Sequence, residues 1–297
     1  MMLDNFALFI LSHGRSDRMY TLKALENSNY TGDWYIIIDD QDKTADRYYE
    51  LFGERVIMFD KEAAAEITEE GNNFNDRHAI VFARNASFQI AEQLEIEYFM
   101  QIEDDYTSFD YRFDNNFMYV HKLIRNLDAI IEIMLDYYKS IPAMSVAMLQ
   151  GGDMLGGESG QYSKSIRTYR KAMNTLICST KRPFKFFGIM NDDVCAYTRF
   201  QNLGHLFLSI NNVTLEQTTT QKQKDGNAVL YLKYGTYVKS FYSVMFQPSS
   251  VTVQMMHSRH PRLHHHIEWK NTVPCIISEK YRKASASTLL SNGEQHA

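Results

Sequence analysis

Cysteines and long apolar runs are both scarce in this sequence. The 297 residues include three cysteines, Cys178, Cys195 and Cys275. Their odd number and wide separation argue against a disulfide framework and favour a reducing compartment, and their spacing does not form a zinc site. No stretch approaches the roughly 18 consecutive apolar residues of a membrane helix, and the apolar run 6–11 is too short for a signal peptide. These absences predict a cytoplasmic protein without a membrane span.

Two phosphate-binding signatures are also absent. The sequence contains neither the G-x-G-x-x-G motif of dinucleotide-binding folds nor a P-loop, and it shows no internal repeat. These glycine-rich loops let the backbone approach phosphate groups closely. Their absence removes support from the NAD dehydrogenase, kinase and ATPase interpretations.

Charge is distributed unevenly along the chain, whose net charge is −5. Residues 1–110 carry 9 basic and 23 acidic side chains, a net of −14, whereas the rest of the chain carries +9. This division is typical of an acidic half that binds metal and nucleotide joined to a half that faces an anionic partner such as DNA. A solvated basic face is the alternative interpretation. The densest basic run comprises Lys164, Arg167, Arg170, Lys171, Lys181, Arg182 and Lys185.

The first hundred residues alternate between short apolar runs and amphipathic segments. The pattern predicts helices over 17–28, 42–52 and 77–95, a mobile polar loop over 61–76, and strands over 6–11, 34–38, 56–59 and 98–102. Strands that alternate with helices form a parallel sheet with right-handed crossovers. The predicted fold class is therefore α/β, a mostly parallel, Rossmann-like sheet flanked by helices.

Further along, the pattern predicts helices over 117–139 and 191–204 and strands over 145–149, 184–190 and 231–253. The glycine-rich segment 151–160 and the polar segment 211–227 predict loops. We predict a nucleotide-binding and catalytic core over 1–205, an acceptor-side extension of mixed strands and loops over 206–282, and a disordered tail over 283–297.

Three consecutive acids follow the fourth predicted strand. Glu103, Asp104 and Asp105 would lie at the carboxyl end of a buried parallel strand, where the sites of open α/β sheets are found. Adjacent carboxylates repel one another, and hard oxygen ligands suit Mg²⁺ or Mn²⁺ shared with substrate phosphates. An acidic surface turn is the alternative.

Other chemically active residues occur in a fixed order around these acids. Arg15 follows strand one, Asp39-Asp40 follows strand two, Arg84-Asn85 lies on the preceding helix, and Asp192-Asp193 lies downstream. This order resembles the GT-A glycosyltransferases, which use nucleotide-diphosphate sugars. The segments Arg84-Asn85, Glu103-Asp104-Asp105-Tyr106 and Asn191-Asp192-Asp193 resemble more closely the TET-associated, or base-J-type, DNA-base glycosyltransferases, whose relatives include kinetoplastid and phage enzymes. The first motif, Ser12-His13-Gly14-Arg15, departs from the common pattern.

The resemblance covers residues 6–200 and implies transfer of glucose or a pentose such as arabinose from a UDP-sugar to DNA. The acceptor would be the hydroxymethyl group of hydroxymethylcytosine or hydroxymethyluracil. Asp105 and a C-terminal histidine, His257, would hold Mn²⁺ or Mg²⁺. Asp193, or Asp192 in second place, would be the general base of an inverting reaction, with helix N-capping as the alternative for this pair.

The remaining roles complete this hypothesis. Donor binding is expected from His13, Arg15, Asp39, Asp40, Arg84, Asn85, Glu103 and Asp104. DNA binding is expected from Arg170, Lys171, Lys181, Arg182 and Lys185, with no membrane and no obligate protein partner. The aromatic run 184–187 could stack on bases or pack in the core, and the histidines 264–266 form a solvated or an acceptor-facing patch.

Three rival functions remain open. The first is a GT-A enzyme that acts on a protein, lipid or polysaccharide acceptor. The second is a nucleotidyltransferase, which normally needs a glycine-rich phosphate loop after strand one. The third is an inactive binding module, although such a module would not need Arg84, Asp105 and Asp193 together.

Overall fold

The first strand lies in the interior of the fold. Phe6–Leu11 (β1) consists of six buried apolar residues between two parallel neighbours, Asp33–Asp39 (β2) and Tyr98–Glu103 (β4). Val56–Phe59 (β3) extends this parallel arrangement beyond β2. Burial along the whole strand is expected for a parallel sheet covered by helices on both faces. The computed structural model describes residues 3, 5–71, 77–218, 227–256, 261–274, 276 and 278.

These strands belong to a ten-stranded sheet with the order β3-β2-β1-β4-β9-β7-β10-β5-β6, in which β8 pairs with β10. Its other strands are Tyr106–Phe113 (β5), Tyr119–Leu123 (β6), Ala143–Gln150 (β7), Thr168–Tyr169 (β8), Leu176–Ser179 (β9) and Leu206–Gln217 (β10). β9 is antiparallel to both β4 and β7, and β10 is parallel to β7. β7 and β10 therefore run in the same direction as β1 to β4, which confirms the predicted mostly parallel sheet.

Helices cover both faces of this sheet. Along β1, Phe9 packs on the face that holds the helix of residues 81–93, whereas Leu8 packs on the face that holds the helices of residues 20–27 and 127–140. This alternation gives three layers and confirms the α/β class. The helices are Tyr20–Asn27 (α1), Ala45–Phe52 (α2), Lys61–Glu66 (α3), Val81–Gln93 (α4), Leu127–Ser140 (α5), Asp192–Asn202 (α6), Asn227–Phe246 (α7) and Trp269–Thr272 (α8).

Two of the predicted boundaries in the first half are wrong. The helix predicted from residue 117 begins only at Leu127, because β6 pairs with β5 as a hairpin whose turn places Phe117 at a left-handed φ of 61°. The predicted loop 61–76 begins with α3 instead. The Asp60 carboxylate caps this helix by accepting a hydrogen bond from the Ala63 amide. Residues 72–76 of that predicted loop lie outside the described residues.

Larger errors follow residue 206. Residues 211–217, predicted as a loop, form the second half of β10 between β7 and β5. Their polar side chains have internal partners, since Asn211 bonds to backbone groups of residues 162–167 and Thr214 accepts a hydrogen bond from Arg112. The predicted strand region 231–253 is mostly α7, kinked at Gly235 and anchored by the buried Tyr242. Burial on the core has overridden the strand preference of its aromatic and β-branched residues.

The aromatic segment 184–190 forms no strand, but its phenylalanines are core residues. Phe184, Phe186 and Phe187 are buried. The amide group of Asn85 on α4 bonds to both the N–H and the carbonyl of Phe186, at 2.8 and 2.9 Å. The core interpretation of this run is therefore confirmed, and Asn85 fixes its backbone.

The C-terminal part of the described chain adds a small second sheet. Val251–Met256 (β11) and Arg262–Ile267 (β12) form an antiparallel pair that packs against α7. The proposed division at residue 205 stays a prediction, although β10 beyond it belongs to the central sheet. The predicted tail 283–297 lies outside the described residues. None of the described helices has both the length and the apolar character needed to cross a membrane.

Candidate active site

A cleft of about 770 Å³ opens where the carboxyl ends of β1, β2 and β4 meet. The strands are paired in register, with Leu11 beside both Ile37 and Glu103, so the segments that follow them converge on one edge of the sheet. The predicted site residues that line the cleft are His13, Arg15, Asp39, Arg84, Glu103, Asp104, Asp105, Lys171, Asp192 and Asp193.

Asp104 is an anchor for the loop that follows β1. Its two carboxylate oxygens accept hydrogen bonds from Ser12 Oγ at 2.5 Å and from Arg15 Nη1 at 2.6 Å. Burial raises the pKa of Asp104, while the charge of Arg15 opposes that shift. Because both oxygens are engaged, Asp104 positions Arg15 and is poorly placed to bind a metal.

Arg84 is a buried cation between two acids. Its Nη2 donates to Glu103 Oε1 at 3.0 Å, and its Nε lies 2.8 Å from Asp192 Oδ2. Burial and neighbouring carboxylates raise the pKa of Glu103 to about 8 and that of Asp192 to about 6, although Arg84 opposes both shifts. A divalent cation bound nearby would favour the ionised forms of both carboxyls.

Asp105 lies in the turn between β4 and β5 and faces the cleft. The Thr218 amide donates to its carbonyl at 3.1 Å, and the Thr218 hydroxyl donates to Oδ2 at 3.2 Å, which ties the end of β10 to this turn. Mg²⁺ bound with substrate phosphates usually takes one or two protein carboxylates. Asp105, with Glu103 beside it, fits that requirement.

A second group of possible metal ligands lies outside the cleft and escaped the sequence analysis. Among the described residues, the ligand atoms of Asp110, His121 and Glu216 lie within 4.8 Å of one another. Asp110 and His121 lie on the β5–β6 hairpin, but Glu216 comes from the distant strand β10, so no local spacing indicates the group. Arg112 pairs with Glu216, and Ser108 donates to Asp110 at 2.6 Å, so protein groups already compensate these carboxylates.

Asp192 and Asp193 open α6 and reach the cleft. Asn191 precedes them in a left-handed conformation with a φ of 53° and makes no capping hydrogen bond with its side chain. Asp193 Oδ1 accepts a hydrogen bond from the Val194 amide at 2.7 Å, and none of the described residues donates to its Oδ2. This geometry is compatible with both predicted roles, the anion of the first helical turn and the general base.

His13, Asp39 and Lys61 form the corner of the cleft beside β2. His13 Nδ1 lies 2.6 Å from Asp39 Oδ2, and Lys61 Nζ lies 3.3 Å from Asp39 Oδ1. Burial would raise the pKa of Asp39, but the hydrogen bond with His13 and the charge of Lys61 hold it below its ordinary value. Asp39 is thus an ionised acceptor. The sequence analysis missed Lys61, which only the tertiary fold brings to Asp39.

Two predicted donor-binding residues do not line the cleft. Asp40 is exposed, and its carboxylate accepts a hydrogen bond from the Lys61 amide at 2.9 Å. The Asn85 side chain bonds to the backbone of Phe186 and donates a hydrogen bond to the Thr68 hydroxyl at 2.8 Å, so its polar atoms already have partners. Both residues support neighbouring segments of the site instead of facing it.

Only one of the five predicted DNA-binding cations, Lys171, lines the cleft; its Nζ lies 2.5 Å from Asp153 Oδ1. Arg170 and Lys185 do not contribute to the lining. Lys181 and Arg182 follow β9, which runs antiparallel to β4 and ends beside its amino end. They therefore lie at the edge of the sheet opposite the acids, and their DNA-binding role stays a prediction.

The wall that faces the acids comes from the predicted acceptor-side extension, where the sequence analysis left the histidines 264–266 as a solvated or an acceptor-facing patch. Lys239 of α7 and Arg262, His264, His265 and His266 of β12 line the cleft. Burial, together with neighbouring positive charge, lowers the pKa of His264 to about 4 and that of His265 to about 3. Both rings are therefore neutral near pH 7. His257, the predicted metal ligand, lies outside the described residues.

A Rossmann-like sheet that ends in clustered acids, with an aspartate pair opening a later helix, is compatible with a glycosyltransferase of the GT-A type. Residues 6–226 match the family model described as TET-Associated Glycosyltransferase, and the chain belongs to this family. The resemblance noted in the sequence is confirmed: the protein is a glycosyltransferase of the type that acts on modified DNA bases. No curated protein matches the chain. The family match ends before α7, so the wall described above lies beyond it.

Proposed function

We propose that the protein transfers glucose or a pentose such as arabinose from a UDP-sugar to the hydroxymethyl group of hydroxymethylcytosine or hydroxymethyluracil in DNA. Mn²⁺ or Mg²⁺ would assist, and the anomeric carbon would be inverted. The observation that carries this proposal is the single cleft that unites Arg84, Glu103, Asp105 and Asp193 in a chain of this family.

The donor fits along the carboxyl ends of the first strands. Ionised Asp39 would accept hydrogen bonds from the uracil or the ribose. The diphosphate would lie near Arg15 and Arg84, which buried carboxylates already hold in place at 2.6 and 3.0 Å. Cations that are positioned in advance stabilise the charge developing on the leaving phosphate without reorganisation during the reaction.

Asp105 and Glu103 would hold the metal. When bound, the metal neutralises negative charge that builds on the departing diphosphate. Its charge would also favour the ionised form of Glu103, whose pKa lies at about 8 without it. Asp104 would contribute indirectly, by orienting Arg15.

Asp193 is the proposed general base. The acceptor hydroxyl attacks the anomeric carbon and forms a new C–O bond while the bond from that carbon to the diphosphate oxygen breaks. Asp193 takes the hydroxyl proton, and UDP leaves with the electron pair of the broken bond. A base of this kind contributes about 10²–10⁴-fold to the rate. Asp192 suits the role less well, because it pairs with Arg84 at 2.8 Å.

A mass-spectrometric transfer assay tests the proposal. The enzyme is supplied with Mn²⁺ or Mg²⁺ and a panel of UDP-sugars, together with unmodified, hydroxymethylcytosine or hydroxymethyluracil DNA. We expect a hexose or pentose mass shift on hydroxymethylated DNA alone, lost in Asp105→Ala. Asp110→Ala, which alters the other acid cluster, is the matched control and should retain activity.

Each alternative result has a clear meaning. Release of UDP without a DNA adduct would keep the transferase and reject the DNA acceptor in favour of a protein or polysaccharide. Transfer only from sugar nucleotides with another base, tested beside the UDP-sugars, would reject UDP as the carrier. A product with retained anomeric configuration would reject direct displacement assisted by Asp193.

A further inference from the structure

The cations and histidines that face the catalytic acids form a continuous surface, which we call the basic wall. Its residues are Lys239, Arg262, His264, His265 and His266. All five lie beyond the segment that matches the family model.

The basic wall is joined directly to the catalytic helix. Asn191, the residue before Asp192 and Asp193, donates a hydrogen bond from Nδ2 to the Lys239 carbonyl at 2.8 Å. The same nitrogen lies 3.3 Å from His265 Nδ1. These contacts fix the wall beside the proposed base, whereas Arg15 and Arg84 are held by Asp104 and Glu103 at the end of β4.

Positive charge in the wall is concentrated. In the part of the chain that the structure describes, no carboxylate lies within ion-pair distance of Arg262, although it borders a cleft rich in acids. Lys239 is half-buried, and burial lowers its pKa, while the charge of Asp193 opposes this shift. Like charges held this close repel one another, so an anion bound between them would stabilise the wall.

The position of the wall indicates which anion it serves. The proposed donor diphosphate already has Arg15, Arg84 and the metal ligand Asp105 on the β4 side of the cleft. An acceptor hydroxyl that reaches Asp193 belongs to a nucleotide whose own phosphates must lie beyond it. DNA approaching an otherwise acidic cleft also needs local cations to offset repulsion.

We infer that the basic wall binds backbone phosphates that flank the target nucleotide of the acceptor DNA, an inference that rests on the acceptor proposed above. Arg262 and Lys239 supply the positive charge, and the imidazole N–H groups of the histidines supply hydrogen-bond donors. Such contacts fix register and orientation but carry no base specificity, so unmodified DNA would make them too.

The salt dependence of DNA binding tests this inference. A fluorescent single-stranded oligonucleotide, with and without hydroxymethylcytosine, is titrated with full-length protein over a range of salt concentrations. For single strands, each phosphate contact contributes about 0.7 to the slope of log affinity against log salt. We expect Arg262→Gln and Lys239→Gln each to reduce that slope by about 0.7. Lys181→Gln, at the opposite edge of the sheet, is the matched control and should leave it unchanged.

A parallel titration with UDP separates the two sources of phosphate. The inference predicts unchanged UDP affinity in both variants. Lost UDP affinity with unchanged DNA binding would assign the wall to the donor and overturn the inference. Arg262 is exposed, so Arg262→Gln decides the matter if Lys239→Gln lowers the melting temperature.

The outcome is independent of the transfer assay. If the wild-type protein glycosylates DNA while Arg262→Gln keeps the full salt slope, the inference alone fails. If no transfer occurs but the slope still falls, the proposed function fails and phosphate binding by the wall stands.

Discussion

Adjacent acids in this sequence have different partners in the folded chain. Asp104 bonds to Ser12 and Arg15, whereas Glu103 pairs with Arg84 and Asp105 meets Thr218. The strand end turns each successive side chain towards a different neighbour. Three acids that look equivalent in the sequence therefore differ in their contacts, and this difference underlies the separate roles proposed for them: Asp104 positions Arg15, and Asp105 and Glu103 hold the metal.

The separate roles of Asp192 and Asp193 in α6 can be distinguished by experiment. Asp193→Asn removes the proposed base and should lower kcat by about 10²–10⁴-fold while leaving stability near the wild-type value. Asp192→Asn removes a partner of buried Arg84. Breaking a buried ion pair costs about 3–5 kcal/mol. Because Glu103 still pairs with Arg84, Asp192→Asn should lower the free energy of unfolding by that amount or less.

Steady-state rates and urea denaturation of the two variants distinguish these roles. Full activity in Asp193→Asn, together with an inactive but stable Asp192→Asn, would move the base to Asp192. Equal loss of stability in both would favour the helix-terminus interpretation of the pair.

Among the elements, α5 shows how a basic residue can serve the fold. Arg182 donates to the carbonyls of Tyr138, Ile141 and Ala143 at 2.8 to 3.1 Å, and its guanidinium lies 3.8 Å from the centre of the Tyr138 ring. These carbonyls belong to the end of α5 and the chain after it, where backbone acceptors lack helical partners and a cation is favoured.

Arg182→Ala should therefore lower the free energy of unfolding by about 2–3 kcal/mol, because hydrogen bonds from a charged group to buried carbonyls are lost. DNA affinity and kcat should stay at wild-type values. Lys181→Ala, which removes only an exposed ion pair with Glu97, is the control and should cost at most about 1 kcal/mol. Weaker DNA binding by Arg182→Ala at unchanged stability would support its predicted acceptor role.

The hairpin of β11 and β12 should make stability depend on pH. Burial lowers the pKa of His264 from 6.5 to about 4 and that of His265 to about 3. Below about pH 6.5 both imidazoles are protonated in the unfolded chain but stay neutral in the folded chain until a lower pH. The stability present above that pH is therefore lost as the pH falls towards 4.

We expect the double variant His264→Gln/His265→Gln to lose less unfolding free energy than the wild type between about pH 7 and pH 5. Urea denaturation at several pH values measures the difference, and the exposed neighbour His266→Gln serves as control. An unchanged pH dependence in the double variant would show that the two rings titrate normally in the folded protein.

Across the whole molecule, the uneven charge of the chain becomes a division across one cleft. The acidic first part supplies the ends of β2 and β4, and the basic remainder supplies α7 and β12. α6 places its two acids between these surfaces. The residues proposed to bind donor, metal and acceptor thus line one cleft, although they come from distant parts of the sequence.

Metal and donor should accordingly stabilise the protein together. At about 100 times its dissociation constant, a ligand that binds only the folded state adds about 2.7 kcal/mol. We expect Mn²⁺ with UDP to raise the melting temperature more than the sum of the two separate shifts. Asp105→Asn should abolish the extra increment and Asp110→Asn should preserve it. The reverse pattern would place the metal at Asp110, His121 and Glu216.

The local pattern of apolar residues predicted strands correctly where a short apolar run is itself enough to indicate burial. β1, β3 and β4 are short apolar runs, and they form strands where predicted. The pattern failed where partners are distant. The side chain of polar Asn211 forms hydrogen bonds with residues 162–167 inside the sheet. The strand-prone residues of α7 form a helix because that helix packs against the core.

The amino-acid sequence by itself determined where the first strands lie along the chain and that acids cluster at their ends, because apolar periodicity and neighbouring charges are local properties. It also carried the motifs that identify the family. Only the tertiary structure decided which acids face Arg15 or Arg84, which cations reach the cleft, and that the histidines of β12 line the same cleft as Asp193. Those choices depend on contacts between segments far apart in the chain, whose energies no local window contains.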